Sequence, residues 1–353
     1  MDEILYTTPK EQIQKLKSQN LIIEDEELAE EVLNLFGYSN LIKSYREPYM
    51  IVSNGHKIYR SGVTFNQLLS LYTLDKNLRN SVMAAMIDLE EHIKEVSANV
   101  IAHSFGTQSD EYLNFRNYSN KRKRKYRFTL RGILETMKAT LDTDKDPIHH
   151  YKTEHGIVPP WILFKSVYFS TMVNYIDQFK VEQKNEVIDK LYSLTNLQIN
   201  YEAARKLLID TLSICMEYRN LAAHGGRTYN YICNSLLRAD EIFTAGQNIS
   251  ASGFSQLISI LDLLNYKNPC YLLSHALNVE VNRHCSNYPQ DVTYLGQILN
   301  IDIVPHSIVY VSDTSNKYHS NPHCSGIKNS MPLELDEAKS QNYIPCKRCI
   351  KQT

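Results

Sequence analysis

Glycine and proline are scarce in this chain, 12 and 11 among 353 residues. That is too few for a loop-rich β protein of this length, and the long Leu/Ile/Lys/Glu segments favour helices. Net charge is nearly absent: 38 Lys and Arg stand against 39 Asp and Glu, so no overall field draws the chain to a polyanion and such binding must come from local patches. No apolar run is long enough to span a bilayer, and the start Met1-Asp2-Glu3 lacks the basic-then-apolar pattern of an export signal. The expectation is a cytoplasmic protein with no membrane partner. Disulfides are not expected either, because the seven cysteines are odd in number and three of them, Cys324, Cys346 and Cys349, crowd the end. Reduced thiols plus a metal site suit that distribution better. A hydrophobic content of 43% is enough for one large core and a small second domain.

One stretch places polar chemistry at defined spacing inside an otherwise ordinary helix. Leu207, Leu208, Leu212, Ile214 and Cys215 recur at helical spacing, predicting a buried amphipathic helix from Tyr201 to near His224, stopped by Gly225-Gly226. Asn220 and His224 then share a face one turn apart. Arg219, offset by about 100°, is long enough to swing its guanidinium toward the same point. Ala222 and Ala223 leave room for a ligand or another backbone. A histidine in the last turn faces the negative end of the helix dipole, which favours its protonated form and suits acid/base work near neutrality. Arg-x4-His alone recurs by chance, and a capped helix with a polar last turn is the bland alternative. The fuller string Tyr-Arg-Asn-x-Ala-Ala-His-x-x-Arg-x-x-Asn, from Tyr218 through Arg227 to Asn230, resembles the signature of the Abi family (abortive infection, AbiD/AbiF kind), a branch of the HEPN superfamily whose members carry Arg-Asn-x-x-x-His there.

Upstream, Pro9 to Lys17 reads as a short helix. A second passes through Leu28, Val32, Leu33 and Phe36 to a stop at Gly37-Tyr38, and its Gly-Tyr-x-x-Leu is similar to the start of Abi proteins. A loop is expected around Asn54-Gly55. From Thr64-Phe65 a long helix runs through Leu68, Leu71, Leu78, Val82, Leu89, Ile93 and Val100. Its Leu71-Tyr72-Thr73-Leu74-Asp75-x-x-Leu78-Arg79 resembles the family's Leu-Tyr-x-Phe-Asp-x-x-Leu-Arg, and Glu90 and Lys94 fall where the family has a Glu and an Arg. As residues they are an i,i+4 pair; the readings are a solvated salt bridge, or a Glu90 that reaches Arg219 or His224 and orients it. The run Lys121, Arg122, Lys123, Arg124, Lys125, with Arg127 beyond, is single-signed and interleaved with Tyr126 and Phe128. Such a run either is a solvated face or holds RNA, cations on phosphates and rings on bases. Pro159-Pro160 should fix the entry of a helix that places Trp161, Phe164, Val167, Val173, Ile176 and Phe179 in the core, with Trp161 as packing. Helices are expected over Ile232 to Ala245 and Ser255 to Leu264, and less regular helix over 268 to 300, where His284 and Cys285 read as structural.

From His306 the texture changes. Ile308 to Ser312 alternates like a strand, Ser315-Asn316 reads as a turn, and Leu335 to Gln341 as a helix. In Pro345-Cys346-Lys347-Arg348-Cys349 the Cys-x-x-Cys knuckle offers the bite of a tetrahedral Zn²⁺. Cys324 supplies a third sulfur and His319 a fourth ligand, with His323 the poorer alternative because it adjoins Cys324. The string Tyr-His…Cys-Ser-Gly…Glu-Ala…Tyr-x-Pro-Cys-x-x-Cys is similar to small Ada-like metal-binding modules, with Asn342 where those commonly have Gly. So short a fold gains from a metal; unligated thiols are the alternative.

These resemblances imply a mainly α fold, a HEPN-type helical bundle over 1–300 with a possible N-terminal subregion 1–60, and a small C-terminal α+β zinc-binding module over 306–353. They imply a metal-independent endoribonuclease acting in phage defence or as a toxin. Its catalytic residues would be Arg219, Asn220, His224 and Glu90, its RNA contacts Lys121 to Lys125, Arg127 and Arg227, and its structural Zn²⁺ ligands His319, Cys324, Cys346 and Cys349. One motif per chain implies a homodimer with a composite site, and an antitoxin or small-RNA inhibitor is a further expected partner. The competing classes are a non-catalytic RNA- or protein-binding regulator, and a scaffold whose zinc module reads nucleic acid.

Overall fold

A computed structural model describes residues 6–243, 249–250, 252–303, 308–322 and 324–350. The chain is mainly helical, with a small C-terminal sheet that carries a Cys/His cluster. It divides into two compact units, Met1–Leu78 with His275–Thr353, and Arg79–Ser274.

In the first unit, helix α1 (Pro9–Ser18) is opened by a capping box: Thr8 accepts from the Glu11 amide while the Glu11 carboxylate accepts from the Thr8 amide at 2.7 Å. Helix α2 (Glu26–Phe36) is capped by Asp25 and ends at Gly37, whose φ of +78° suits glycine. The expected loop at Asn54-Gly55 is the turn of a hairpin, β1 (Met50–Ser53) with β2 (His56–Tyr59), Ser53 opposite His56. Both turn residues have positive φ, the requirement that makes Asn-Gly the favoured two-residue hairpin turn. The long helix α3 (Phe65–Phe105) follows as expected. Its residues up to Leu78 belong to this unit, and the fully buried Asp75 accepts from Tyr45. His284 is also buried, held between Ser70 Oγ and Asp291 Oδ2 at 2.9 Å each.

The C-terminal module begins after residues 304–307, which lie outside those described. Strands run in the order β5-β3-β4-β6, with β3 (Ile308–Ser312), β4 (Ser315–His319), β5 (Met331–Glu334) and β6 (Ile344–Pro345). Among these strands β4 and β6 pair in parallel and the other pairs are antiparallel. The turn falls at Asp313-Thr314, not at Ser315-Asn316, because Ser315 already pairs with Ser312. A short helix (Leu335–Ser340) lays Ala338 on Val309, Val311 and Tyr318 to form a core of very few side chains. Asn342 has φ +63°, the left-handed conformation that asparagine tolerates in place of glycine.

In the second unit α3 continues from Arg79. After it come α4 (Leu130–Leu141), α5 (Phe169–Asp177), α6 (Val181–Leu191), α7 (Tyr201–Ala223) and α8 (Gly253–Asp262). The expected helix over Trp161 to Phe179 is broken: Pro160–Leu163 is a short turn, Val167 and Tyr168 are extended, and α5 restarts at Phe169. The expected helix from Ile232 is absent up to Arg238, with only Ala239–Ile242 helical; 244–248 lie outside the described residues. Side chains of α7 explain this. Glu217 accepts from the amides of Asn234 and Ser235, and Asp210 from the amide of Arg238, so these amides serve carboxylates in place of helical carbonyls. Among the described residues, no helix is long and apolar enough to cross a membrane.

Candidate active site and metal centre

Helix α7 carries the motif. Asn200 caps its start by accepting from the Ala203 amide at 2.9 Å, and Leu207, Leu208, Leu212, Ile214, Cys215, Tyr218 and Ala222 bury one side of it. At its end the Gly226 amide donates to Leu221 O at 2.9 Å and the Gly225 amide to Ala222 O at 3.1 Å, the paired bonds of a Schellman stop. Gly225 has φ +72°. A Cβ on Gly226 would lie 2.3 Å from Leu221 Cδ1, so that side chain would have to move, whereas at Gly225 it is the backbone conformation that favours glycine.

That stop leaves His224 as the exposed capping residue, its amide bonded to Asn220 O at 3.1 Å. Its imidazole is open to a substrate. Arg79 of α3 donates from Nη1 to Gly225 O at 3.2 Å and so adds a cation to the carbonyl end of α7, beside His224. Arg79 closes the string Leu71 to Arg79, but its spacing there assigns it no role; only the fold brings it to the motif.

Arg219 points to α3. Its Nε lies 3.9 Å from Glu90 Oε2 and has no hydrogen-bond partner among the described residues, while Glu90 Oε1 contacts Lys94 Nζ at 2.7 Å. The Glu90 and Lys94 side chains are each only 13% exposed, so their pair is not the solvated bridge of a helix surface. Glu90 therefore meets part of both expectations: it pairs with Lys94 and it sits next to Arg219. These groups line a cavity of about 660 Å³, together with Ile87, Glu91, Glu95, Trp161, Phe164 and Lys165. Trp161 is 36% exposed and turns to this space, which corrects its assignment to the core. Phe164 beside it is buried. Asn220 and His224 are not among the residues that line the cavity, so Arg219, turned to Glu90, does not converge with them as expected.

The basic run is an exposed irregular segment with a single turn at Tyr126–Phe128. Two of its members are committed: Lys121 Nζ and Lys123 Nζ contact Asp177 Oδ1 and Oδ2 at 2.9 and 2.6 Å. Burial raises the Asp177 pKa, but the bonds from Lys123 and Lys121 outweigh it and bring the group to about 2. Arg122, Arg124, Lys125 and Arg127 lie along the same segment, with the Arg127 guanidinium 4.7 Å from the centre of the Phe128 ring. Arg227 stands just past the motif helix.

In the C-terminal module the topology brings His319, Cys324, Cys346 and Cys349 together, one ligand atom of each within 4.8 Å of the others. His323 lies outside the described residues. His319 Nδ1 is 3.6 Å from Cys349 Sγ. An ion with Zn–N of about 2.05 Å and Zn–S of about 2.3 Å sets tetrahedral N···S edges of about 3.6 Å, the spacing of this His–Cys pair. Burial and the neighbouring Lys317 lower the His319 pKa, which favours the neutral imidazole that binds metals. Backbone amides serve the sulfurs. Burial raises the Cys346 pKa, but the amides of Arg348 and Cys349 lower it on balance, and the Gly326 amide bonds Cys324. A Cβ on Gly326 would approach His319 Cε1 to 3.3 Å, so the cluster closes tightly over that residue. The donor set fits a metal ion such as zinc.

Among protein families, the profile of the one described as Abi-like protein matches residues 31–230, more than half of the chain and all of the motif helix. No curated protein and no solved structure matches.

Proposed function

The chain belongs to the Abi-like family, and from that premise we propose that it is a metal-independent endoribonuclease acting in phage defence by abortive infection. The observation that carries this reading is the end of α7, where an exposed His224 stands beside the Arg79-capped carbonyl of Gly225, five residues beyond an Arg219 whose Nε lies 3.9 Å from Glu90. Cleaving RNA through its own 2′-OH needs a group to move protons and a positive charge for the developing phosphorane. His224 takes the 2′-OH proton or delivers one to the 5′-oxygen. Arg219 is the electrostatic clamp, Asn220 orients the phosphate or His224, and Glu90 holds the guanidinium in place. DNA, without the 2′-OH, is inert.

Arg219 and His224 are five residues apart, about 140° around the helix axis, and do not meet within one chain, so a second motif helix completes the site, and we place it in a second copy of the chain. Ile232 and Leu236, 69% and 74% exposed, project from the segment that Glu217 fastens next to the motif and are suited to that contact. Arg122, Arg124, Lys125, Arg127 and Arg227 supply phosphate contacts. In the C-terminal module His319, Cys324, Cys346 and Cys349 hold a Zn²⁺ that, when bound, cross-links a fold with too small a core of its own.

The test is purified protein on RNA in EDTA at moderate salt. Cleavage leaving 2′,3′-cyclic phosphate or the 2′/3′-phosphate it opens to, with no action on the matching DNA, supports the reading. A 3′-hydroxyl product or an absolute requirement for added metal contradicts it.

A further inference from the structure

A second concave site lies in the Arg79–Ser274 unit, built from side chains that the nuclease reading does not use. Asp177 is its centre. Besides Lys121 and Lys123, it faces Lys184, whose Nζ lies 3.6 Å from Asp177 Oδ1 and donates to Asp177 O at 2.7 Å. Three ammonium groups thus converge on one carboxylate. The Lys184 side chain is only 6% exposed, so water does little to screen its charge, while Lys121 and Lys123 are 48% and 27% exposed.

The wall opposite adds more positive charge. Arg205 Nη1 bonds only the neutral Asn185 Oδ1, at 2.9 Å, among the described residues. Lys206 pairs with Glu241 at 2.9 Å and Arg238 with Asp210 at 2.7 Å. Glu202 is the one further carboxylate on the lining. Six cations, Lys121, Lys123, Lys184, Arg205, Lys206 and Arg238, thereby meet four carboxylates, Asp177, Asp210, Glu241 and Glu202, around a cavity of 450 Å³. A purely structural ion-pair cluster has no reason to leave two positive charges over in a half-buried space, since each uncompensated charge costs desolvation. An anion with several acceptor oxygens removes that cost and satisfies the unused donors of Arg205 and Lys184.

We propose that this pocket is a binding site for a phosphoryl group, with Arg205, Lys184 and Lys121 as its principal donors. The low Lys184 pKa, brought to about 8 by burial and by Lys121, fits a cluster short of negative charge. Lys121 joins the pocket to the basic run, so the phosphoryl group is that of an RNA end, of an RNA backbone, or of a free nucleotide.

Thermal melts of the full chain in inorganic phosphate, against chloride at equal ionic strength, read the site directly. Phosphate is expected to raise the melting temperature of wild type and not of Arg205→Gln. That variant keeps a helix-forming residue on a half-buried helix position, and Lys206→Gln, which should weaken the effect, is the second variant should Arg205→Gln fold poorly. Titration with 5′-phosphorylated and 5′-hydroxyl oligoribonucleotides then separates the sources. Preference of about tenfold for the phosphorylated end, lost in Arg205→Gln, indicates an RNA terminus. Equal binding of both, weakened equally by the variant, indicates backbone. Unaltered RNA binding together with a lost phosphate effect indicates a free nucleotide. Wild type that melts alike in phosphate and chloride, or variants that respond to phosphate as wild type does, overturns the proposal. RNA cleavage surviving in Arg205→Gln leaves the nuclease reading standing whichever way the phosphate result falls.

Discussion

Glu90 Oε1 contacts Lys94 Nζ at 2.7 Å while its Oε2 lies 3.9 Å from Arg219 Nε, so a single carboxylate is shared between the long helix and the motif arginine. Glu90→Gln removes the charge and leaves two cations facing each other. We expect a stability loss of about 1–3 kcal/mol and a fall in RNA turnover of about tenfold or more, since the clamp loses its support. Lys94→Gln should cost less turnover, because it leaves the Glu90 to Arg219 pairing intact. Chemical denaturation and single-turnover cleavage check both, and a Glu90→Gln protein with full turnover would make the Arg219 pairing purely structural.

Metal analysis of the purified protein is expected to find about one Zn²⁺ per chain, lost in Cys346→Ser/Cys349→Ser. Full zinc occupancy in the double variant would place the ion elsewhere.

How far these residues are legible in the sequence varies with the kind of signal. The motif helix and its stop are legible because apolar spacing and Gly-Gly are local, and His319, Cys324, Cys346 and Cys349 because thiol spacing is chemically restrictive. Asn54-Gly55 carries a readable hairpin signal, stronger than the plain loop expected there. Trp161, Arg79 and the segment 232–238 are not legible. Their places depend on partners far along the chain: the α3 and α7 side chains that frame the cavity, the Gly225 carbonyl, and the Glu217 and Asp210 carboxylates. The basic run is half legible, since nothing local announces that Asp177 takes two of its lysines.

That division decides how the run is tested. Replacing Arg122, Arg124, Lys125 and Arg127 with Gln, and leaving Lys121 and Lys123 to Asp177, should weaken RNA binding without unfolding. It should also flatten the dependence of log K on log salt by up to about 0.7 for each phosphate no longer neutralised. An unchanged slope, measured by fluorescence anisotropy across salt, would return the run to a solvated face.

Asp177 and Lys184 each make stability rise with pH, in two separate windows. The Asp177 carboxyl is lower in the folded chain, at about 2, so its contribution is present above the unfolded value near 3.8 and lost as pH falls toward 2, about 2 kcal/mol in all. Lys184 is also lowered, to about 8. For a lysine that means a cost fully present below pH 8 and relieved as pH rises toward 10.5, where the unfolded chain binds more protons. Asp177→Asn should flatten the acid limb of the stability profile and Lys184→Met the alkaline one. Denaturation profiles from about pH 2 to 10.5 that keep their slopes in these variants would remove both assignments.

If two motif helices share one site, adding excess His224→Ala chains to wild type should lower activity per wild-type chain. Unchanged specific activity after subunit exchange would show that each chain works alone.

The most direct measurement compares RNA cleavage by wild type, His224→Ala and Arg219→Ala in EDTA, with melting temperatures taken alongside. Each substitution is expected to cost at least about 10²-fold in rate, the scale of a missing acid/base or charge-stabilising partner, while the exposed His224→Ala protein melts as wild type does. Undiminished cleavage by a folded His224→Ala chain would contradict the account at its centre.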